Sequence, residues 1–143
     1  MLRPILLALA SSRWLKSMMV RFPLARRVAR RFVAGEGLED ALNAVRSLRA
    51  EDLMVTLDFL GENADTLEGA EESATQYLEV VQAIASAGLE SHISLKLTAL
   101  GLDHGQEVCM AHLERILTAA SRHNIFVRID MEGSDYTEAT MQI

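Results

Sequence analysis

Three stretches of this chain alternate between apolar and polar positions. Val55, Leu57 and Phe59 alternate with Thr56 and Asp58. Ile93, Leu95 and Leu97 alternate with Ser94, Lys96 and Thr98, and Ile125, Val127 and Ile129 face away from Arg128 and Asp130. A period of two marks a strand with one apolar and one polar face. It predicts strands near residues 53–60, 92–98 and 125–131. Between them the period lengthens to that of a helix. Ala70, Ala74, Tyr77, Leu78, Val81 and Ile84 form one apolar stripe, and Leu113, Ile116, Leu117 and Ala120 form another. Asp65 with Glu68 reads as a capping box for the first helix, and Gly88 as its stop. The second ends near His123-Asn124, after a segment Gly101–Gly105 that reads as a loop. Leu38, Ala41, Leu42, Val45 and Leu48 predict a helix ahead of the first strand, and another begins at Thr137.

Strand, helix, strand at this spacing is the parallel βαβ pattern. The three strands are expected side by side in chain order, with right-handed crossovers. In a closed parallel barrel the helices cover the outer face, and inner residues at the carboxyl ends of the strands line the active site. Asp58, Lys96, Arg128 and Asp130 can then meet around one cavity. A lysine inside such a strand needs a carboxylate, a ligand or water, because burying an unpaired ammonium is costly. Two plainer readings stand beside this one: an exposed edge strand blunted by Lys96, and an inner salt-bridge layer with no ligand.

Charge changes the picture at the amino terminus. The 143 residues carry a net charge of −6. Residues 1–34 nevertheless hold Arg3, Arg13, Lys16, Arg21, Arg26, Arg27, Arg30 and Arg31 and no acid. This part reads as helical, in two pieces broken near Pro23. The chain therefore divides into a helical segment, residues 1–50, and an α/β segment, residues 51–143. The basic face suits packing on an acidic body, then contact with an anionic membrane surface, and least of all nucleic acid. Val28 and Ala29, rather than base-stacking aromatic residues, separate the arginine pairs 26–27 and 30–31.

No apolar run reaches the roughly 18–20 residues of a membrane span. The short apolar run Pro4–Ala10 leads into basic, amphipathic sequence, so secretion is not expected, although the composition also suits an organellar transit peptide. The single Cys109 allows no internal disulfide and fits a reducing compartment. Within a helical pattern it reads as a buried filler. His92, His104, His112 and His123 lack the spacing of a metal site, and for His112 and His123 a cap or surface role is expected. No dinucleotide fingerprint, phosphate loop or nucleophile elbow is present.

Four stretches carry a resemblance: Arg30–Glu36, Leu57–Glu62, Ile93–Leu102 and Val127–Glu132. Together, in this order and spacing, they resemble the amino-terminal part of the monofunctional bacterial proline dehydrogenases. The resemblance implies an α/β fold, a partial (βα)8 TIM-type barrel comprising the first three βα units and preceded by amino-terminal helices. It implies non-covalent FAD, oxidation of L-proline to 1-pyrroline-5-carboxylate by hydride transfer to flavin N5, and electrons passed to a membrane quinone. Lys96 would contact the substrate carboxylate. Asp130 would support Lys96 and the catalytic pocket, Met131 would touch the flavin, and Glu62 would form a gating ion pair with a distant arginine. No metal is implied. The expected location is the cytoplasm, with peripheral contact at the inner membrane. Eight strands make the family's barrel, so three predict a fragment of a longer enzyme that is inactive alone. The rival is a non-catalytic adaptor that binds a membrane or nucleic acid through its basic helices, with the βαβ part as scaffold.

Overall fold

A computed structural model of the chain describes residues 33–35, 37–59 and 64–143. The expected helices of residues 1–32, and Glu62, lie outside the described residues. The chain divides into two compact units, Met1–Asp40 and Ala41–Ile143. The elements are α1 (Leu38–Arg49), β1 (Thr56–Asp58), α2 (Leu67–Ser86), β2 (His92–Leu95), α3 (Gln106–Ser121), β3 (Val127–Ile129) and α4 (Thr137–Gln142).

The sheet is parallel, in the order β1-β2-β3, as the strand–helix–strand spacing predicts. Each strand is shorter than its period-two stretch. Backbone hydrogen bonds nevertheless continue past the strand ends: His92 N–H donates to Val55 O (3.0 Å), Ile93 N–H to Phe126 O (3.1 Å) and Asp130 N–H to Leu95 O (2.8 Å). β1 and β3 each pair on one side only among the described residues, which limits their ladders. β2 stops early because the chain coils. Leu97 O accepts from both Leu100 N–H and Leu102 N–H at 3.1 Å, forming a 3-10 turn at Thr98–Leu100. A second follows at Leu102–His104, so the expected loop is ordered turn structure. Gly101 joins the two at φ +90°, and a Cβ there would lie 3.0 Å from the Ala70 methyl. Only glycine takes that conformation without strain.

The core gathers around β2. Ile93, Leu95 and Leu97 are fully buried. Helices α2 and α3 pack against each other and against the turn after β2. α2 buries Ala70, Ala74, Tyr77, Val81 and Ile84, the stripe read from its period, and adds Ser73; Leu78 is half-buried. Its cap differs from expectation. Thr66, not Asp65, is the N-cap, and its hydroxyl accepts from Gly69 N–H at 3.0 Å. The C-terminus closes as read: Gly88 takes φ +60°, with Leu89 N–H donating to Ile84 O. On α3, Cys109, His112, Leu113, Ile116 and Ala120 are buried, whereas Leu117 is 41% exposed and lies off the seam.

Candidate active site

The register places the polar residues in rows on one face of the sheet. Asp58, Ser94 and Arg128 are lateral neighbours across all three strands. Two residues further on, Lys96 and Asp130 form the next row, and Thr98 and Glu132 continue it beyond the strand ends. Leu57, Ile93 and Val127 form the matching apolar row on the opposite face. The chemistry-bearing side chains therefore collect at the carboxyl ends of the strands.

They form one network. Lys96 Nζ lies 3.1 Å from Asp58 Oδ2 and 4.0 Å from Asp130 Oδ2. Arg128 Nε donates to Asp130 Oδ1 at 2.8 Å. The Ser94 hydroxyl donates to Asp130 Oδ2 at 2.6 Å, and its oxygen accepts from Arg128 Nη2 at 3.2 Å. Glu132 takes the Thr98 hydroxyl at 2.6 Å and the Thr98 N–H at 3.1 Å. A carboxylate drawn over the first backbone N–H of a turn both neutralises a polar group and fixes the turn's orientation.

The charges shape one another. Burial alone would raise the Asp130 carboxyl. Hydrogen bonds from Ser94 and Arg128, with the charges of Arg128 and Lys96, outweigh it and hold Asp130 below the ordinary carboxylate value. Tyr77 reaches toward the same acids from α2 and stacks edge-on with Phe59 at 6.2 Å. Its phenol is pushed up by burial first, then by Asp58, Asp130 and Glu132, and stays protonated. Cys109 is pushed up to about 11 by burial and then Glu132. It is a thiol packed against Leu97 O rather than a nucleophile, in keeping with its reading as filler.

Of the residues singled out in the sequence, Lys96, Asp58, Arg128 and Asp130 come together. Met131 follows Asp130 directly and is 55% exposed at the same end of the sheet. Glu62 lies outside the described residues. The sequence reading missed Ser94 and the Thr98–Glu132 contact. Their one signal was alternation with Lys96, since serine and threonine are common on polar strand faces. It also misplaced His112, which is buried rather than at the surface. Its Nδ1 donates to Leu100 O at 2.9 Å and its Nε2 lies 3.1 Å from Glu71, which also holds Arg115 through two hydrogen bonds. His112 thus ties α2 and α3 to the turn after β2.

The sequence model of the proline dehydrogenase family matches residues 41–143. This chain belongs to the proline dehydrogenase family. Proline dehydrogenase 1 of Bacillus subtilis subsp. natto is 42% identical over 115 residues, covering 80% of this chain and 38% of that protein. Proline dehydrogenase 2 of Bacillus subtilis (strain 168) is 34% identical over 119 residues, 83% of this chain and 39% of that protein. The chain thus spans a little over a third of the length of these curated relatives. The crystal structure of proline utilization A from Bdellovibrio bacteriovorus, inactivated by N-propargylglycine, superposes with a TM-score of 0.76 at 21% identity. It covers 82% of this chain and 15% of that one, and shows the shared α/β fold.

Proposed function

We propose that these residues form the first three βα units of a (βα)8 barrel whose complete protein oxidises L-proline to 1-pyrroline-5-carboxylate with FAD. The observation that carries the reading is the Asp58–Lys96–Asp130 arrangement at the carboxyl ends of adjacent parallel strands. A partly exposed ammonium bracketed by carboxylates can receive a small anionic group, and the substrate's carboxylate fits it as a point-charge partner. Lys96 binds that carboxylate. Asp130 balances the charge of Lys96 and of the pocket. Asp58 is the nearer of its two acids, so the cation is neutralised before substrate arrives.

The residues present suit a flavin. Met131, exposed just after Asp130 at the carboxyl end of β3, offers a neutral, polarisable side chain for contact with an aromatic ring system. FAD, when bound, supplies the hydride acceptor. Lys96 and Asp130 orient the substrate and fix its charge. The family resemblance gives Glu62, which lies outside the described residues, a gating role, and electrons pass on to a membrane quinone. The enzyme works in the cytoplasm against the inner membrane. What supports membrane contact is the basic stretch 1–34, with eight Arg and Lys and no acid. No helix among the described residues is long and apolar enough to cross a membrane.

The test compares the chain alone with a chimera in which it replaces the matching stretch of Bacillus subtilis proline dehydrogenase 1. Flavin retention and dye-linked proline oxidation are measured in both. The chimera should retain FAD and oxidise proline, and the chain alone should do neither. Robust turnover by the chain alone, or a folded, flavin-loaded chimera inert toward proline, overturns the reading.

A further inference from the structure

We propose that Ser94 and Arg128 are positioning residues that hold the Asp130 carboxylate away from Lys96, leaving the ammonium open to a ligand carboxylate. The inference rests on the reading of Lys96 as the group that binds substrate. A carboxylate 4.0 Å from an ammonium, free to turn, closes to a direct contact, as Asp58 does at 3.1 Å. Asp130 does not, because both of its oxygens are engaged. Oδ1 accepts from Arg128 Nε at 2.8 Å and Oδ2 from the Ser94 hydroxyl at 2.6 Å. Arg128 Nη2 braces the serine oxygen at 3.2 Å, so the three side chains form a closed ring. Ser94 is fully buried, which fixes its hydroxyl.

The consequence falls on Lys96. An ammonium has three donor directions. Among the described residues one is spent on Asp58, and Asp130 stays at the edge of contact. Among the described residues the remaining directions meet no other carboxylate, and the side chain is partly exposed. Were Asp130 free to close, Lys96 would be gripped from both sides, and an incoming carboxylate would have to displace one of two direct partners. The groups facing Asp130 are Ser94 and Lys96 from β2 and the residues just after it, and Arg128 from β3. Asp58 and Glu132 complete the acidic surroundings that Tyr77 meets from α2.

Two measurements test this. The first follows the Asp130 carboxyl by carbon-13 titration in the chain itself, in Ser94→Ala, Arg128→Gln and Arg128→Lys. Each of the first two removes a donor to the carboxylate, so on a Lys96→Ala background, which leaves Asp130 no ammonium to close on, its titration should move up, with Arg128→Lys between them and the otherwise unsubstituted chain. Arg128 is exposed, so its replacement leaves the core intact even if Ser94→Ala disturbs it. An unmoved titration in the Arg128 variants on that background overturns the proposal. The second measures proline oxidation by the flavin-loaded chimera with the same substitutions. KM for proline should rise roughly ten-fold with kcat much less affected, and Arg128→Lys should recover part of the loss. An unchanged KM, or a fall confined to kcat, overturns it. If the unsubstituted chimera does not oxidise proline, the parent reading fails, and the titration alone decides whether Ser94 and Arg128 hold Asp130.

Discussion

Asp130 meets Ser94, Arg128 and Lys96, and its behaviour in acid follows from these neighbours. Its pKa in the folded chain is below the ordinary value of 3.8. A depressed carboxyl contributes stability above its unfolded value, and that contribution is lost as pH falls through the folded one. Urea unfolding followed from pH 7 down to pH 3 should therefore show stability falling at the acid end, and Asp130→Asn should flatten the fall. An acid slope identical in the variant would contradict the linkage. The charged members of this network were legible in the sequence because a lysine, an arginine and two aspartates on the polar sides of three strands are conspicuous. Ser94 was not, because a serine becomes informative only when the register brings Asp130 and Arg128 to it. His112 was missed for a similar reason. Its partners, Leu100 O and Glu71, lie on other elements, and helical periodicity says nothing of them.

At the level of elements, periodicity located the three strands and helices α1, α2 and α3 but missed the 3-10 turns and overstated strand length. Alternation records which face a side chain occupies; the ladder also needs a partner strand, and β1 and β3 have one on a single side. The turn after β2 was beyond reach because it depends on Leu97 O gathering two N–H groups and on Gly101 fitting beside Ala70. Two substitutions test this account. Gly101→Ala should destabilise by roughly 1–2 kcal/mol, from the left-handed backbone alone, before any clash with Ala70. Ile93→Ala, in the buried centre of the sheet, should cost about 2–5 kcal/mol. Chemical unfolding reads both, and a Gly101→Ala chain as stable as the parent would remove the argument for a required glycine. The choice of Thr66 over Asp65 as cap was not decidable from sequence, because adjacent residues of both types cap well. Thr66→Ala should cost about 1 kcal/mol while Asp65→Ala costs much less.

At the scale of the whole molecule, some of the exposed apolar side chains among the described residues flank the edge strands of the sheet. Met54 is 71% exposed just before β1, and Phe126 is 63% exposed just before β3. Phe59, at the end of β1, is also exposed. Large apolar side chains at strands that are edges among the described residues are what further strands and helices would cover. Legible in the sequence were the parallel order and the collection of charge at one end. The expected helices of residues 1–32 and the gating role of Glu62 fall outside the described residues.

If Lys96 receives the substrate's carboxylate, the flavin-loaded chimera carrying Lys96→Ala should bind proline far more weakly. Loss of one charge-assisted contact should cost roughly 1.5–3 kcal/mol, or about ten- to a hundred-fold in affinity, with flavin content preserved. Lys96→Arg should restore it only in part, because the forked guanidinium is longer and differently shaped. A Lys96→Ala enzyme with undiminished proline affinity and turnover would contradict the account.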